Sequence, residues 1–169
     1  MSVSFLPKVI IPAVTDLTPE FLASRGIELL MLDFDNTIVP YTTSTPTEEM
    51  DRWLREMTAS DIQLCVVSNS KNGRVQEFCR SYGIDCMIRA RKPFPHGIRQ
   101  CLQRYRVNAA EAALVGDQIF TDIIGANSCG LNTILLEPIK LEDGKSFKIR
   151  RKLEKRFIAK YERKAANER

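Results

Sequence analysis

The sequence has 169 residues, a hydrophobic content of 44% and a formal net charge of +4 at pH 7. This length suits one domain whose core needs no disulfide or metal to hold it together. No apolar run approaches the roughly 20 residues of a membrane-spanning helix, and residues 1–19 lack the regions of a signal peptide, so we expect a cytoplasmic protein. The five cysteines are odd in number and never spaced as C-x-x-C, which favours scattered reduced thiols over disulfides or a zinc site.

The charge is unevenly distributed along the chain. Residues 145–169 hold eleven Lys and Arg against three Glu, a net charge of +8, whereas the other 144 residues carry a net charge of −4. A basic tail of this kind is usually a solvated helix, but it can also be attracted to surfaces that carry phosphate.

The first elements are bounded by clear capping residues. A helix is predicted over residues 17–26, with Thr18 as N-cap, Pro19 at the first helical position and Gly26 at the end. The apolar run over residues 27–34 predicts a strand buried on both faces.

A second helix is predicted over residues 44–57. Thr45 would be its N-cap, Pro46 its first residue and Glu48 the partner in a capping box. Its inner stripe would consist of Met50, Trp53, Leu54 and Met57.

The rest of the chain alternates between strand and helix at lengths that suit right-handed βαβ crossovers. We therefore predict a single domain with a Rossmann-like, three-layer α/β/α fold and a five-stranded, mostly parallel sheet. An N-terminal arm (1–19) would precede the core (20–138), and a basic helix (145–169) would follow it. The further strands are predicted over 62–69, 84–88, 112–117 and 132–138, and the further helices over 72–83, 95–107 and 119–130.

Polar residues follow four of the predicted strands. In an open parallel sheet the binding crevice lies beyond the carboxyl ends of the strands, so these groups should converge on one edge. Capping of the following helix could explain any single one of them, but it explains poorly a set of four in this order. The groups are Asp33 and Asp35 after the first strand, Ser68 and Asn69 after the second, Lys92 after the third and Asp117 after the fourth.

These residues lie in four ordered motifs. "DFDNT", "VVSNS", "KP" and "GDQIFTD" resemble the motifs of the haloacid dehalogenase (HAD) superfamily of phosphatases. More narrowly, "DFDNT" with "GDQIFTDIIGAN" and the preceding "LTPEFLASRGI" is similar to the bacterial subfamily IIIA phosphatases, which are relatives of mitochondrial and plastid phosphatidylglycerophosphate phosphatases. The resemblance covers residues 20 to 138 and implies a hydrolase that acts on phosphomonoesters.

The resemblance also implies roles for the two leading aspartates, and the chemistry supports them. Asp33 would attack phosphorus to form an aspartyl-phosphate. Asp35, two residues later on the same side of an extended chain, would protonate the leaving oxygen and then deprotonate water. Phe34 should point the other way, into the core.

A magnesium ion is expected, because carboxylates cannot approach a phosphate dianion without a cation. The expected ligands are Asp33, Asp117 and the backbone carbonyl of Asp35. Asp122 would complete the metal site without direct contact to the ion, either beside its ligands or through a metal-bound water.

The remaining site residues would bind phosphate. Ser68 and Lys92 would contact the phosphoryl oxygens, and Lys92 would also hold the nucleophile ionised. Thr37 would orient the motif loop, and Asn69 would contact the substrate.

Four other residues carry open alternatives. His96 lies either at the rim of the site or, as we favour, on a surface helix. Arg89 and Arg91 either bind a second phosphate or an anionic surface, or are solvated loop charges. Arg74, with the glycine before it, resembles a loop typical of the family, but the sequence assigns it no role.

No cap domain is expected. Only 33 positions separate Asp35 from Ser68, and 24 separate Ser68 from Lys92. The site should be open to large or surface-bound substrates, unless a neighbouring subunit covers it; the oligomeric state is left open.

Three functions compete. The first is a phosphatase for a phospholipid head group, above all phosphatidylglycerophosphate, acting peripherally at an anionic membrane. The second is a phosphatase for a soluble sugar, histidinol or nucleotide phosphate. The third is an idle module that binds phosphate or nucleic acid, and the Asp33/Asp35 pair argues against it and against nucleic acid as partner.

The membrane hypothesis depends on two segments. Apolar residues recur every fourth position in the basic tail, so this helix could lie on an anionic bilayer or pack on the sheet. The stretch from residue 5 to residue 14 could likewise contact a bilayer or fold onto the core. The tail residues are Ile149, Leu153, Phe157 and Tyr161.

Overall fold

The sheet confirms the predicted α/β class. The computed structural model describes residues 3–71, 73–140 and 144–167, and within them six strands form one sheet in which all neighbouring strands run parallel. In chain order they are β1 (Val9–Ile11), β2 (Leu29–Leu32), β3 (Gln63–Val67), β4 (Asp85–Met87), β5 (Ala112–Gly116) and β6 (Asn132–Leu136). Their order across the sheet is β1-β6-β5-β2-β3-β4, which puts β2 at the centre between β3 and β5.

The predicted count of five strands is wrong by one edge strand. The additional strand, β1, lies in the N-terminal arm and pairs with β6, so that Val9 is opposite Ile134 and Ile11 is opposite Leu136. It is only three residues long and half-buried, which is too short for a hydrophobic pattern to distinguish it from a loop. The arm, one of the two segments considered for a bilayer contact, therefore extends the sheet at these residues.

The helices cover both faces of the sheet. They are α1 (Pro19–Ser24), α2 (Glu48–Thr58), α3 (Gly73–Tyr82), α4 (His96–Tyr105), α5 (Ile124–Cys129) and α6 (Lys145–Asn167). One face packs α1, α2 and α3 against alternate strand residues such as Leu30 and Leu32. The other packs α4 and α5 against the intervening residues, such as Leu29 and Met31. Strands buried on both faces explain why β2 is apolar at every position.

The start of α2 differs from the prediction by two residues. The N-cap is Thr47, whose hydroxyl accepts a hydrogen bond from the backbone N–H of Met50 at 3.2 Å, and not Thr45. This start places Glu48 and Glu49 at the first two helical positions, where the helix dipole favours negative charge. The predicted inner stripe of α2 is confirmed, because Met50, Trp53, Leu54 and Met57 are all buried.

The C-terminal helix α6 docks on the sheet domain through half of its predicted apolar stripe. Phe157, with Ile158, packs against Leu135 and the turn after β5, and the Tyr161 hydroxyl donates a hydrogen bond to the carbonyl of Lys8 at 3.4 Å. The other half faces solvent: Ile149 is 63% exposed and Leu153 is 41% exposed.

Two further expectations concern absent features. No helix in the described part of the chain has the length and apolar character needed to cross a membrane. All five cysteines are free thiols, and three of them, Cys65, Cys79 and Cys101, are buried.

Candidate active site

The loop after β2 presents two aspartates at the centre of the sheet edge. The N–H of Asp33 donates to the carbonyl of Val115 at 2.9 Å, so the strand pairing continues up to this residue. Phe34 is fully buried among core residues, as predicted, and the two aspartates on either side of it line one cavity. Asn36 then adopts a left-handed φ of 60°, which turns the chain back on itself.

Lys92 is buried between two carboxylates. Its Nζ atom donates to Asp33 Oδ1 at 2.7 Å and forms a second ion pair with Asp122 Oδ1, also at 2.7 Å. Burial opposes the charge on Lys92, but Asp122 and Asp33 together outweigh it and raise the pKa of the ammonium group. Lys92 therefore stays charged beside Asp33.

Asn69 holds Lys92 in this position. Its side-chain oxygen accepts from the Lys92 N–H at 2.7 Å, and its side-chain nitrogen donates to the Lys92 carbonyl at 2.8 Å. The amide thus joins the loops that follow β3 and β4, which are 23 residues apart along the chain. The predicted substrate contact of Asn69 stays a prediction, and its visible contacts are with this loop.

Three buried carboxylates converge at the same edge. Oxygen atoms of Asp33, Asp117 and Asp122 all lie within 4.8 Å of one another, and the three residues are almost fully buried. Among the described residues, Asp117 Oδ1 has no hydrogen-bond partner, although it is buried. Such an orphaned oxygen in a cluster of oxygen donors fits a hard divalent cation such as Mg²⁺.

The cluster agrees only in part with the predicted ligand set. The carboxylate of Asp122, expected further from the metal, lies within the cluster. The carboxylate of Asp35 lies outside it and pairs with Arg74 instead, so Asp35 could act as a ligand only through its backbone carbonyl, as predicted.

Burial and mutual repulsion raise the pKa values of carboxylates in this cluster. Burial raises the pKa of Asp33 to about 6, against the opposing attraction of Lys92. Burial, followed by repulsion from Asp122 and Asp33, raises the pKa of Asp117 to about 8, against the opposing effect of Arg151. More positive charge is needed beside Asp117 for its carboxylate to be ionised at neutral pH.

Local backbone geometry brings Asp122 back to the sheet edge. It lies in a single π-helical turn, Ile119–Ile123, and its Oδ2 accepts from the N–H of Gln118 at 3.1 Å. A Cβ atom at Gly116 would overlap the Asp122 carboxylate, so the glycine is required for this approach. Turns of this kind occur frequently at functional sites.

Ser68 and Thr37 differ in their access to the cavity. Ser68 lines it, and its hydroxyl oxygen accepts from the N–H of Ser70 at 3.0 Å, which leaves the hydroxyl proton available to a phosphoryl oxygen. Thr37 is buried and does not line the cavity, and its hydroxyl has no hydrogen-bond partner among the described residues. The geometry supports a phosphate contact for Ser68 but gives no such contact for Thr37.

The cavity has a volume of about 540 Å³, well within the size range of small-ligand sites. Between the motifs, the described residues form only the loop after β2 and the elements α2, β3, α3 and β4, so no inserted domain covers the cavity there. Its lining residues are Asp33, Asp35, Tyr41, Ser68, Asn69, Ser70, Arg74, Lys92, Gln118, Thr121, Phe147 and Arg150.

Sequence reasoning missed the arginines of the site. Arg74, at the start of α3, pairs with Asp35 and also donates to the carbonyl of Thr43 at 2.8 Å. Arg151, from α6, donates to both the carboxylate and the carbonyl of Asp117. The available signals were the family-like loop at Arg74 and the basic tail, but neither signal identified the partner.

Three flanking residues lie outside the cavity lining. Arg89 and Arg91 are exposed and both have left-handed backbone conformations. His96 is exposed at the start of α4, as favoured from the sequence.

Comparisons with known proteins agree with this geometry. A family model described as "Haloacid dehalogenase-like hydrolase" matches residues 33–136. The chain is 31% identical over 160 residues to the "Probable phosphatase YqeG" of Bacillus subtilis (strain 168), an alignment that covers 95% of this chain and 93% of that protein.

Solved structures share the fold. A protein from Legionella pneumophila described as a "putative HAD superfamily (subfamily III A) hydrolase" aligns with a TM-score of 0.52 and 16% identity over 68% of each chain. The cobalt-bound deoxy-D-mannose-octulosonate 8-phosphate phosphatase of Haemophilus influenzae aligns with a TM-score of 0.53 and 13% identity, over 81% of this chain and 90% of that one. The family model and the relative that matches nearly the whole chain identify the protein as a member of the haloacid dehalogenase-like hydrolases.

Proposed function

We propose that the protein is a magnesium-dependent phosphomonoesterase in which Asp33 is the nucleophile. The observation that carries the proposal is the position of Asp33: it is buried, paired with Lys92 at 2.7 Å, and opens into the same cavity as Asp35. The ammonium group of Lys92 favours the ionised carboxylate that attack on phosphorus requires.

The residues of the cavity can carry both halves of the reaction. With phosphoryl oxygens bound by Lys92 and Ser68, an oxygen of Asp33 attacks phosphorus, and the bond from phosphorus to the leaving oxygen breaks. A proton from Asp35 passes to that oxygen, which leaves as an alcohol. Water then attacks phosphorus, Asp35 takes up its proton, and the bond to Asp33 breaks, which releases inorganic phosphate and restores both carboxyl groups.

Arg74 acts as a positioning residue for Asp35. It pairs with that carboxylate, holds the loop after β2 through Thr43, and its guanidinium carbon lies 5.1 Å from the centroid of the Phe34 ring. These contacts orient the Asp35 carboxylate toward the cavity.

The residues that would hold Mg²⁺ are Asp33, Asp117 and Asp122, whose oxygens already converge. The ion would neutralise the carboxylates and the phosphate dianion, so that one can approach the other.

For the substrate we favour a phospholipid head group, in particular phosphatidylglycerophosphate, at an anionic membrane surface. Two features support this choice: the uncovered cavity, and a basic helix that contributes residues to the cavity wall while Ile149 and Leu153 remain exposed on it. Phe94, which is 68% exposed two residues after Lys92, adds a third exposed apolar group near the site.

Turnover measurements test the metal dependence and the substrate class separately. Purified protein should release phosphate from phosphomonoesters with added Mg²⁺, lose activity in EDTA and regain it with excess Mg²⁺. Undiminished turnover by metal-free protein would refute the metal dependence. Comparison of phosphatidylglycerophosphate in mixed micelles with a panel of soluble sugar, histidinol and nucleotide phosphates decides the substrate class, and a clear preference for a soluble ester would refute the lipid assignment.

A further inference from the structure

Four residues from three parts of the chain form a closed ring of contacts at the cavity wall. Tyr41 lies in the loop after β2, Gln118 follows β5, and Phe147 and Arg150 lie at the start of α6. The ring centroids of Tyr41 and Phe147 are 6.2 Å apart, and the guanidinium carbon of Arg150 lies 4.8 Å from the Phe147 centroid. Arg150 donates to the side-chain oxygen of Gln118, whose nitrogen in turn donates to the Tyr41 hydroxyl at 3.1 Å.

Three cationic side chains of the described residues line the cavity, and they differ in how many carboxylates they pair with. Lys92 is paired with two carboxylates, and Arg74 is paired with Asp35. Arg150 donates to a neutral amide, and within residues 3–71, 73–140 and 144–167 no carboxylate forms an ion pair with it. Among the described residues, no carboxylate therefore neutralises its positive charge, which leaves this charge for a ligand in the cavity.

These contacts also hold the Arg150 side chain in place before a ligand binds. An arginine that is stacked on an aromatic ring and anchored by an amide loses little side-chain freedom when an anion arrives. The planar guanidinium still has donors beyond the one used by Gln118, and such groups match the paired oxygens of a phosphodiester or carboxylate.

The position of Arg150 indicates which part of a substrate it would meet. The phosphoryl group is assigned to Asp33, Ser68 and Lys92, and a phosphoryl group alone fills only a small part of about 540 Å³. The rest of the cavity, beside Tyr41, Gln118 and Arg150, is left for the alcohol that departs.

We propose that Arg150 is a specificity-determining residue that binds a second anionic group on the leaving alcohol of the substrate. The preferred substrates are then phosphomonoesters whose alcohol carries a phosphodiester or carboxylate anion. This inference rests on the proposed phosphatase function and narrows its substrate class. The anion can belong to a lipid head group or to a soluble metabolite, because the recognition chemistry is the same.

The experiment measures the ratio of kcat/KM for two matched substrates that differ in the charge of the leaving alcohol. Glycerol 3-phosphate has a neutral leaving alcohol, and the same molecule with a methyl phosphodiester on its far hydroxyl has an anionic one. We expect wild-type kcat/KM to favour the anionic substrate by about tenfold or more, because hydrogen bonds to charged groups are among the stronger ones. Arg150→Gln should bring this ratio close to one, and Arg150→Lys should restore part of it.

Lys152→Gln is the matched control. It removes one positive charge from an exposed residue two positions further along α6, and should keep the wild-type ratio. If Arg150 only anchors α6, Arg150→Gln will lower kcat/KM for both substrates equally, which would overturn the inference. No wild-type preference would also overturn it, whereas no hydrolysis of any phosphomonoester would refute the proposed function instead.

A third substrate identifies the source of the anion. Phosphatidylglycerophosphate in micelles carries a phosphodiester together with acyl chains. If Arg150→Gln lowers turnover of this lipid and of the soluble diester by the same factor, the residue recognises the anion itself. A large further preference of the wild-type enzyme for the lipid would then assign the anion to a head group. An equal rate on the soluble diester would assign it to a metabolite.

Discussion

Arg151, on the C-terminal helix, donates hydrogen bonds to both the backbone carbonyl and the carboxylate of Asp117. Asp117 lies at the end of β5, within the three-carboxylate cluster. Glu154, one turn further along α6, accepts from Arg151 at 3.0 Å and from the N–H of Ile119 at 2.8 Å. The basic helix is therefore part of the site as well as a solvated tail, and Arg151 supplies positive charge next to the candidate metal position.

Replacement of Arg151 should tighten metal binding. In Arg151→Met the repulsion between the guanidinium and Mg²⁺ is lost, so we expect the Kd for Mg²⁺ to fall on the order of tenfold in calorimetric titration. The melting temperature of the metal-free protein should also fall, because Asp117 loses its partner in a buried setting. Arg156→Met, an exposed arginine of the same helix, is the control, and weaker Mg²⁺ binding by Arg151→Met would show that Arg151 orients the ligand instead.

Stability of the metal-free protein should depend on pH through Asp117. Its pKa is raised from 3.8 to about 8 by burial and by repulsion from Asp122 and Asp33, so between these values the folded state holds a proton that the unfolded state lacks. Stability from this group is full below pH 3.8 and is lost as pH rises through about 8. The melting temperature measured in EDTA should fall by several degrees between pH 5 and pH 8.5.

Two additions make the origin of this pH dependence testable. Mg²⁺ should raise the melting temperature more at pH 8.5 than at pH 5, because the ligands must be deprotonated to bind it. Asp117→Asn should flatten the slope measured in EDTA. A slope of wild-type size in this variant would assign the pH dependence to other groups.

The two leading aspartates should differ in their kinetic defects. Asp33→Asn should abolish turnover, because an amide is a poor nucleophile. Asp35→Asn should reduce it by about 10² to 10⁴, the usual range for loss of general acid–base catalysis. The loss of turnover in Asp35→Asn should be largest for esters with poor leaving groups, because these need the proton most. Asp61→Asn, at an exposed turn, is the control, and near-normal turnover by Asp33→Asn would eliminate the nucleophile assignment.

Much of this site could be predicted from sequence because its main signals are local. Strand ends, a D-x-D spacing and buried stripes such as that of α2 depend on neighbouring residues, and the structure places Asp33, Ser68, Lys92 and Asp117 at one sheet edge. The strand β1 was missed because three residues carry no periodicity.

The contacts of the C-terminal helix have no local signature. Arg151 reaches Asp117 across 34 positions, and Arg150 reaches Gln118 across 32. A periodic pattern shows that a helix has an apolar face, but it does not identify the surface that this face meets. Only part of the predicted apolar stripe is covered: Phe157 packs on the sheet domain, whereas Ile149 and Leu153 are exposed.

Membrane binding should depend on the exposed half of that stripe. Replacing Ile149 and Leu153 with Ser should reduce co-sedimentation with anionic vesicles, because both contribute apolar area beside many basic residues. These substitutions are preferable to deletion of α6, which would also remove the core contacts of Phe157. Binding should weaken with added salt. Val3→Ser, at another exposed apolar residue, is the control, and unchanged binding by the double variant would exclude this face as the anchor.

The most direct test of the central claim is to trap the covalent intermediate on Asp33. Enzyme mixed with p-nitrophenyl phosphate and Mg²⁺ is quenched in acid during turnover and treated with borohydride, which reduces an acyl-phosphate to an alcohol. Peptide mass spectrometry should then find homoserine at position 33, with a larger amount in Asp35→Asn, where attack by water is slowed. Homoserine at the position of another aspartate would contradict nucleophilic catalysis by Asp33. So would the absence of homoserine from both proteins when both are hydrolysing the substrate.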